Sequence, residues 1–301
     1  MVLQLLKEEV NMKLLVSLNN KKLDDYLNYT NSFIIGLKEF SINYLEFSIN
    51  EIKELLEKYP NIELFVSINK NIFNNEINLL KEYLVELNSL PIKGVLFYDI
   101  AILSIVKDEN LSINLIWHQT HMVTNYNTCN YYYDKGCKYA YLASEITVDE
   151  IKEIKENSKI GLMAFGFGYP IVSFSKRKLL SNYASFNNLT LDGSYQVITS
   201  GNSEKYFVKE NSHGTSILYG NMLNGIKPMS DLINILDYFI LDEQLVEHSL
   251  FIKVLDIYNK LLIGEIDAFD ANNSIYELTN SDDTIFYYKK TIYKVKDEKK
   301  N

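Results

Sequence analysis

The sequence predicts a closed (β/α)8 TIM-like barrel of the α/β class, and two observations carry that prediction. Short apolar segments alternate with longer amphipathic stretches, which is typical of parallel strands joined by helices. Eight such units fill roughly 250 residues, the usual length of a barrel of this kind. Periodicity alone leaves an open doubly wound sheet as the alternative. The predicted strands are Leu14–Leu18, Phe33–Leu37, Glu63–Ile68, Gly94–Tyr98, Asn114–Gln119, Tyr139–Ala143, Ile160–Phe165 and Tyr238–Leu241.

The stretches between these strands are predicted to be helices, and two of them carry clear signals. Asn75–Leu87 has its apolar residues at helical spacing, and they are Ile77, Leu80, Leu84 and Leu87. Glu145–Glu156 contains Thr147 as the predicted N-cap and Glu150 three residues later, the spacing of a capping box.

The barrel is predicted to span residues 12–264, because Met12 opens the first strand and residues 1–11 have the character of an N-terminal extension. A β insertion is predicted at about residues 183–230, before the last strand. Its strand-forming segments, separated by glycines, are Tyr195–Thr199, Lys205–Val208 and Ser216–Tyr219. Residues 265–301 are predicted to be a C-terminal tail with strands at Thr284–Tyr288 and Thr291–Val295.

Composition and charge restrict the classes of function. The net charge is -9, whereas a free-standing nucleic-acid-binding protein is usually basic, so any RNA contact would use a local patch. The two cysteines, Cys129 and Cys137, form no CxxC pair, which argues against a disulfide framework and a structural zinc site. Residues 1–11 contain charged side chains and no long apolar run. We therefore expect no secretory signal and no membrane span, and a cytoplasmic location.

Polar residues follow several predicted strands, at the end of the barrel where chemistry is located in this fold. Asn69 follows the third strand and Asp99 the fourth. His118 and Gln119 end the fifth strand, and Glu145 follows the sixth. We expect these side chains to face one shared cavity as a substrate-binding site. The alternative for each is an ordinary role in a loop or a helix cap, because loops are generally polar.

The pair His118 and His121 raises the question of a metal site. Residues three apart on a strand point to opposite faces of the sheet, so the two imidazoles could converge only if the strand ended between them. No metal site is predicted.

Arg177 is the only arginine in the chain, and every other cationic residue is a lysine. A guanidinium group binds a carboxylate or a phosphate through two parallel hydrogen bonds, which lysine cannot do. Arg177 lies between Lys176 and Lys178, after the predicted seventh strand. It is therefore predicted to bind a small anionic ligand at the barrel mouth or to form a buried ion pair, and chance retention of one arginine is the alternative.

The stretch that contains Arg177 resembles the signature of the peptidase U32 family. Phe165, Gly168, Leu180 and Ser181 fall on signature positions. Further segments resemble family motifs in the same order along roughly residues 13–260, and they are Tyr98-Asp99-Ile100, Gln119 with Asn125, Ala143-Ser144-Glu145 with Val148–Ile151, and Asn211–Thr215. The resemblance adds Ser181 to the candidate binding residues.

The resemblance also implies chemistry that this chain lacks the residues to perform. Members that hold a [4Fe–4S] cluster use four thiolates, but the signature cysteine positions here are Ile171 and Lys178, and the signature glutamate is Met163. The chain has two cysteines, both elsewhere, so no iron–sulfur cofactor is expected.

The family resemblance implies a role in oxygen-independent hydroxylation, with tRNA uridine among the substrates, or a collagenase-like peptidase activity. The sequence has no activated-nucleophile motif and no HExxH motif that would favour proteolysis, and Ser181 lacks the strained turn of a nucleophilic serine. One hypothesis is therefore a subunit that binds substrate, tRNA or a cluster-bearing U32 paralogue. The other is a cluster-free enzyme that acts on a small carboxylate, and whether the chain is an enzyme stays open.

Overall fold

A closed barrel of eight parallel strands forms the body of the protein. The computed structural model describes residues 11–191, 195–201, 203–284 and 286–288. Its strands are β1 (Lys13–Ser17), β2 (Ser32–Leu37), β3 (Glu46–Phe47), β4 (Glu63–Ile68), β5 (Gly94–Phe97), β6 (Leu115–Trp117), β7 (Cys137–Tyr141), β8 (Gly161–Gly168), β9 (Ile171–Ser175), β10 (Gln196–Thr199), β11 (Lys205–Asn211), β12 (Gly214–Tyr219), β13 (Leu223–Asn224) and β14 (Tyr238–Asp242).

The barrel order is β1, β2, β4, β5, β6, β7, β8 and β14, and β14 pairs in parallel with β1 to close the sheet. The (β/α)8 barrel predicted from the sequence is confirmed, and the open doubly wound sheet is wrong. The eight predicted strands are the eight barrel strands. Strand β7 begins two residues earlier than predicted, because Cys137 pairs with Leu115 of β6.

Helices connect the strands on the outside of the barrel. They are α1 (Ile49–Lys58), α2 (Ile77–Asn88), α3 (Ala101–Asp108), α4 (Tyr126–Asp134), α5 (Val148–Asn157), α6 (Leu179–Asn187), α7 (Ile226–Leu232), α8 (His248–Leu262) and α9 (Ala268–Thr279). The capping box predicted at the start of α5 is present, since Thr147 and Glu150 each accept the other's backbone N–H. Ser48 and Glu51 form the same arrangement at α1, and together these contacts satisfy donors that the first turn of a helix leaves free.

Side chains inside the barrel form layers because successive strand residues point to opposite faces. At the amino-terminal end, the Glu63 carboxylate accepts hydrogen bonds from Lys13, Lys93 and Tyr238. Burial opposes ionisation of Glu63, but these bonds prevail and lower its pKa to about 2. Above this layer, the ring of Phe65 packs edge-to-face on Tyr238 at 5.1 Å between centroids. Packed side chains therefore fill the barrel at this level, and the pocket that contains His118 lies at the carboxyl-terminal end.

A second, antiparallel sheet lies between β8 and β14 in the chain, with the strand order β10, β11, β12 and β9. The sequence places the β insertion at about residues 183–230. The second sheet instead starts with β9, and residues 226–232 form helix α7. Strand β9 is hard to identify from the sequence because its partner β12 is about 40 residues away, at register Thr215–Ser175. As a result β9 lies beside the barrel mouth, and β10 forms the opposite edge of the sheet.

The segment after α8 contains a helix that the sequence analysis did not identify. Helix α9 packs on α7 and α8 and buries Ala271 and Ile275 fully. The strand predicted at Thr284–Tyr288 is wrong, because residues 286–288 form a turn in which Tyr287 is buried and donates its hydroxyl to the carbonyl of Phe165 at 2.6 Å. The predicted strand at Thr291–Val295 lies outside the described residues.

No helix within the described ranges is long and apolar enough to cross a membrane.

Candidate functional site

The barrel mouth contains two adjoining spaces. The inner pocket has a volume of about 70 Å³ and is lined mainly by Tyr44, His118, Tyr141, Phe165, Pro170 and Asp242. The outer groove has a volume of about 510 Å³, and its walls include Tyr98, Gln119, His121, Phe174, Ser175 and Lys176. Asn43, Asn69, Thr120 and Ile171 line both spaces, so the pocket and the groove form one continuous site.

Asp242 is the carboxylate of the inner pocket and ends strand β14. Its side chain accepts hydrogen bonds from the backbone N–H of Gln244 and from the side chain of Ser17, at the end of the neighbouring strand β1. Burial raises the pKa of Asp242 to about 6, and these hydrogen bonds offset only part of that rise. Gly168 faces this residue with φ at +116°, and an added Cβ there would lie 2.6 Å from the carbonyl oxygen of Asp242. The close approach of β8 and β14 therefore depends on glycine.

Two phenols flank Asp242 in the inner pocket. Burial raises the pKa of Tyr44 and of Tyr141, and the negative charge of Asp242 raises both further, so the two hydroxyl groups stay protonated. Neither hydroxyl has a hydrogen-bond partner among the described residues. The pocket is thus lined by one acceptor carboxylate and two hydroxyl groups that can donate.

His118 forms another wall of the inner pocket. Its ring stacks on Tyr141 at 4.2 Å between centroids and 17° between planes. Burial lowers the pKa of His118 to about 4, so the imidazole is neutral at physiological pH. Its Nδ1 atom is buried without a hydrogen-bond partner, as is Oδ1 of Asn43. Buried polar atoms of native proteins are normally paired, so these two atoms indicate a site for a polar ligand.

Asn69 and Gln119 line the outer groove but are occupied by structural contacts. Asn69 accepts the backbone N–H of Ile42 at 2.6 Å and donates to the carbonyl of the same residue at 2.8 Å, which fixes the loop after β2. Gln119 accepts from the indole of Trp117 at 2.9 Å and donates to the carbonyl of Tyr98 at 2.7 Å. Both residues therefore shape the groove.

Asp99 and Glu145 lie outside the two spaces. Asp99 accepts the backbone N–H groups of Ile72 and Ala101, at 2.8 and 3.0 Å, and so ties two loops together. Glu145 is exposed at the rim and lies 3.3 Å from Nδ1 of His121. Strand β6 ends at Trp117, so His118 and His121 both lie beyond the strand. His118 lines the inner pocket, whereas His121 lines the outer groove. Within the ranges described above, no group of three or more His, Cys, Asp or Glu side chains could hold a metal ion.

Arg177 and Ser181 belong to the segment that joins β9 to α6. The Arg177 side chain is exposed and has no ion pair with any described residue, while its carbonyl accepts from Thr215 at 2.8 Å. Ser181 donates its hydroxyl to Glu210, which also accepts the backbone N–H of Leu180 at 2.8 Å. Glu210 therefore caps the start of α6. The Ser181 hydroxyl contacts a capping carboxylate and no histidine, which is not the geometry of an activated nucleophile.

The groove rim carries exposed cations despite the acidic chain. Lys176 lies over the ring of Phe73, with Nζ 3.6 Å from its centroid, and Arg177 and Lys178 follow it. An ammonium group over an aromatic face is held in place by the ring quadrupole. Lys176 lines the groove, whereas Arg177, predicted to face the same cavity, and Lys178 are exposed but are not among the residues that line it.

A second polar cluster lies behind the site, on the outer side of β14. Glu243 is 1% exposed and accepts from the hydroxyl of Tyr26 at 2.5 Å and lies 2.6 Å from Nδ1 of His248. Nε2 of His248 lies 3.2 Å from Asp25. Burial lowers the pKa of His248, but the hydrogen bonds to both carboxylates outweigh it and the net shift is upward. This cluster fixes the segment that follows Asp242.

Sequence reasoning missed the centre of the site. Asp242 and Glu243 directly follow the predicted strand Tyr238–Leu241, which is the same signal that identified Asn69, so Asp242 could have been found. Tyr44 could not, because it lies in the loop after β2 and reaches the pocket only through the fold of that loop.

The match to a family model now decides the classification. The model of peptidase family U32 matches residues 19–291. The chain belongs to the U32 family.

Among characterised U32 relatives, two proteins of Bacillus subtilis (strain 168) are similar to this chain. The tRNA hydroxylation protein P2 is 27% identical over 284 residues, which cover 87% of this chain and 92% of P2. The tRNA hydroxylation protein P1 is 26% identical over 185 residues, 59% of this chain and 43% of P1. The solved structure of the U32 peptidase Mk0906 aligns with a TM-score of 0.43 and 11% identity, over 70% of this chain and 84% of that one.

An iron–sulfur cluster of the U32 kind does not fit the residues of this chain. Cys129 in α4 and Cys137 in β7 are both fully buried, and burial raises the pKa of each thiol to about 12. Ligation needs thiolates, and these two thiols remain protonated and number half of the four required. The signature positions carry Ile171 and Lys178, neither of which can bind iron in such a cluster.

Proposed function

We propose that this chain is the substrate-binding subunit of a tRNA uridine hydroxylation system and that the inner pocket receives the uracil base. The observation that carries the proposal is the arrangement of Tyr44, Asp242 and Tyr141. All three line the same small pocket, which therefore offers two hydroxyl donors and one carboxylate acceptor. The imide edge of uracil offers the complementary set, two oxygen acceptors and the N3–H donor between them. The similarity to tRNA hydroxylation protein P2 supports the same assignment.

The same arrangement discriminates against cytosine. Cytosine has an unprotonated N3, whose lone pair would face the carboxylate of Asp242 and leave it without a donor. Mispairing of one base edge of this kind costs about 1–3 kcal/mol. His118, whose ring stacks on Tyr141, adds an aromatic wall to the pocket.

The outer groove suits the rest of the nucleotide. Chemistry on a base requires that the base leave the helical stack and enter a pocket. The groove volume of about 510 Å³ lies in the range typical of sites for ligands of this size. Lys176, Arg177 and Lys178 at the rim supply the local positive charge that RNA phosphates require on a protein of net charge -9.

The redox step of hydroxylation is assigned to a partner, because this chain cannot hold the family's cluster. A cluster-bearing U32 paralogue is the partner that the proposal requires, and the similarity of this chain to both P1 and P2 supports it. Anaerobic reconstitution with iron and sulfide should leave this chain without stoichiometric iron. A cluster bound to Cys129 and Cys137 of the isolated chain would contradict the assignment of the redox step to a partner.

The decisive experiment measures binding of an anticodon stem-loop RNA by fluorescence anisotropy, with uridine or cytidine at the wobble position. We expect uridine to be preferred by about 10- to 100-fold, from the mispairing cost above. Asp242→Asn should abolish the preference, because an amide can donate to cytosine N3. Asp99→Asn, which changes a carboxylate outside the pocket, is the matched control and should keep it.

Cellular data test the function separately. Mass spectrometry of tRNA from cells that lack this protein should show loss of hydroxylated uridine, and the wild-type gene should restore it. Unchanged hydroxylation in such cells, or equal binding of the two RNAs, would refute the proposal.

A further inference from the structure

The second sheet carries an exposed apolar surface that lies outside the inner pocket and the outer groove. We call it the α6–β10 face and define it by Leu179, Tyr183, Phe186, Leu189 and Ile198. Their side chains are large and exposed, and Phe186 is 88% and Tyr183 61% accessible. Residues 179–203 contain one charged residue, whereas charged residues make up 23% of the chain. A surface of this kind on a protein marks an interaction site.

Helix α6 contributes an exposed apolar stripe in addition to the side that it buries. Leu179, Tyr183 and Phe186 are spaced by four and three residues, so they form one stripe along the helix. The opposite side of α6 already packs on the second sheet through the buried Ala184. A helix at the surface normally presents polar residues to water. The second apolar stripe therefore needs a partner of its own.

Strand β10 is the open edge of the same sheet. It pairs with β11 on one side, and no other described strand pairs with it on the other. Natural edge strands are usually protected by lysine, proline or a covering segment. Residues 195–201, Tyr-Gln-Val-Ile-Thr-Ser-Gly, contain no charge and no proline, and Val197 and Ile198 are exposed. Ile198 pairs with Tyr206 and lies on the sheet face of Glu210, the residue that caps α6.

We infer that the α6–β10 face binds a second copy of this chain, with β10 of one copy beside β10 of the other in antiparallel orientation. Two identical strands that pair in this way are related by a twofold axis perpendicular to the sheet, so both α6 helices lie on the same side. Each copy would then contribute its apolar stripe to one shared core. The two four-stranded sheets would join into one continuous sheet of eight strands.

Size and charge both favour this occupant. From the usual areas of aromatic and aliphatic side chains and their exposure, the α6–β10 face offers roughly 600 Å² of apolar surface per copy. A specific interface buries about 800 Å² per partner, so the face with its polar margin is large enough. An uncharged face lets two acidic chains approach, and it offers no cation to RNA phosphate.

The inferred dimer leaves the proposed site accessible. The sheet order places β9 at the edge that lines the mouth and β10 at the opposite edge. Pairing at β10 therefore keeps both outer grooves open to RNA. The inference does not depend on the proposed function, and each can fail without the other.

Light scattering during size-exclusion chromatography of the full chain tests the inference. Wild type should elute with about twice the 35.0 kDa mass of one chain at micromolar concentration. Phe186→Asp and Ile198→Lys should each weaken self-association at least tenfold, roughly the loss expected for a central interface residue. Phe269→Asp removes another highly exposed ring, 74% accessible in α9, and should leave the mass unchanged.

Hydrogen exchange locates the interface independently of any variant. The amides of Gln196–Thr199 should exchange more slowly as the concentration of the wild-type chain rises. A monomer at high micromolar concentration would overturn the inference, and so would a dimer that Phe269→Asp disrupts as strongly as Phe186→Asp. A rise in mass that occurs only with a different protein would show that the face serves another partner, and would also overturn it.

Discussion

Asp242 should reduce the stability of the protein at neutral pH, and its replacement by asparagine should reveal how much. Burial raises the pKa of this carboxyl from 3.8 to about 6. The folded state therefore holds its proton more tightly than the unfolded chain, and stability falls as pH rises from 3.8 toward 6. A shift of this size corresponds to about 3 kcal/mol of unfolding free energy at neutral pH.

The comparison between two pH values isolates this effect. At about pH 5 the wild-type protein has lost roughly half of this unfolding free energy. Between pH 5 and pH 7.5, the unfolding free energy of Asp242→Asn should therefore rise by about 1.5 kcal/mol relative to that of wild type. Urea denaturation followed by circular dichroism measures both proteins at both pH values. Any constant cost of the substitution, such as a weaker hydrogen bond from Ser17, cancels in that difference.

Asp149→Asn is the matched control. It removes the same charge from an exposed position in α5 and reports the general effect of one less negative charge. If Asp242→Asn changes the unfolding free energy equally at both pH values after this correction, burial does not raise the pKa of Asp242. If it gains stability and loses discrimination between uridine and cytidine, Asp242 is a residue whose function opposes stability.

Three further predictions concern the surroundings of the site. The pKa of His248 is raised by its contacts with Glu243. The contribution of this pair to stability is therefore full below the ordinary histidine pKa and is lost as pH rises above the folded-state pKa. His248→Gln should flatten the thermal-stability profile above about pH 6.5, and an unchanged profile would exclude the contact. Glu210→Ala should cost about 1 kcal/mol in urea denaturation because α6 loses its cap, and an unchanged midpoint would show that the cap is dispensable. Arg177→Lys should weaken stem-loop binding by about 1.5–3 kcal/mol if the guanidinium binds phosphate bidentately, with Lys178→Ala as the milder control; equal losses for both variants would contradict a special role for arginine.

The sequence is sufficient for the barrel because most barrel strands are largely apolar runs. Glu63–Ile68 is both the predicted and the observed range of β4, since both faces of that strand are buried. The second sheet was only partly predictable. Its strand β9 reads Ile-Val-Ser-Phe-Ser, and its pairing with β12 depends on contacts between distant parts of the chain.

The site was predictable only where the local pattern fixes the geometry. Asn69 and His118 line the mouth as expected, because the ends of parallel strands meet there. Asp99 follows a strand in the same way, but its carboxylate turns to two backbone N–H groups of neighbouring loops. Arg177 could not be placed, because its position depends on the second sheet. A rule about strand ends predicts where a residue lies and leaves its hydrogen-bond partners undetermined.

The closure of the barrel also has a consequence for biosynthesis. The hydrogen bond from Ser17 to Asp242 and the pairing of β1 with β14 join residues about 225 positions apart in the chain. At 5–20 residues per second, roughly 10–45 s pass between the synthesis of β1 and that of its partner. Throughout that interval one edge of β1 has no native partner, and the inner pocket does not yet exist. Translation rate and chaperone protection of β1 should therefore influence the yield of folded protein.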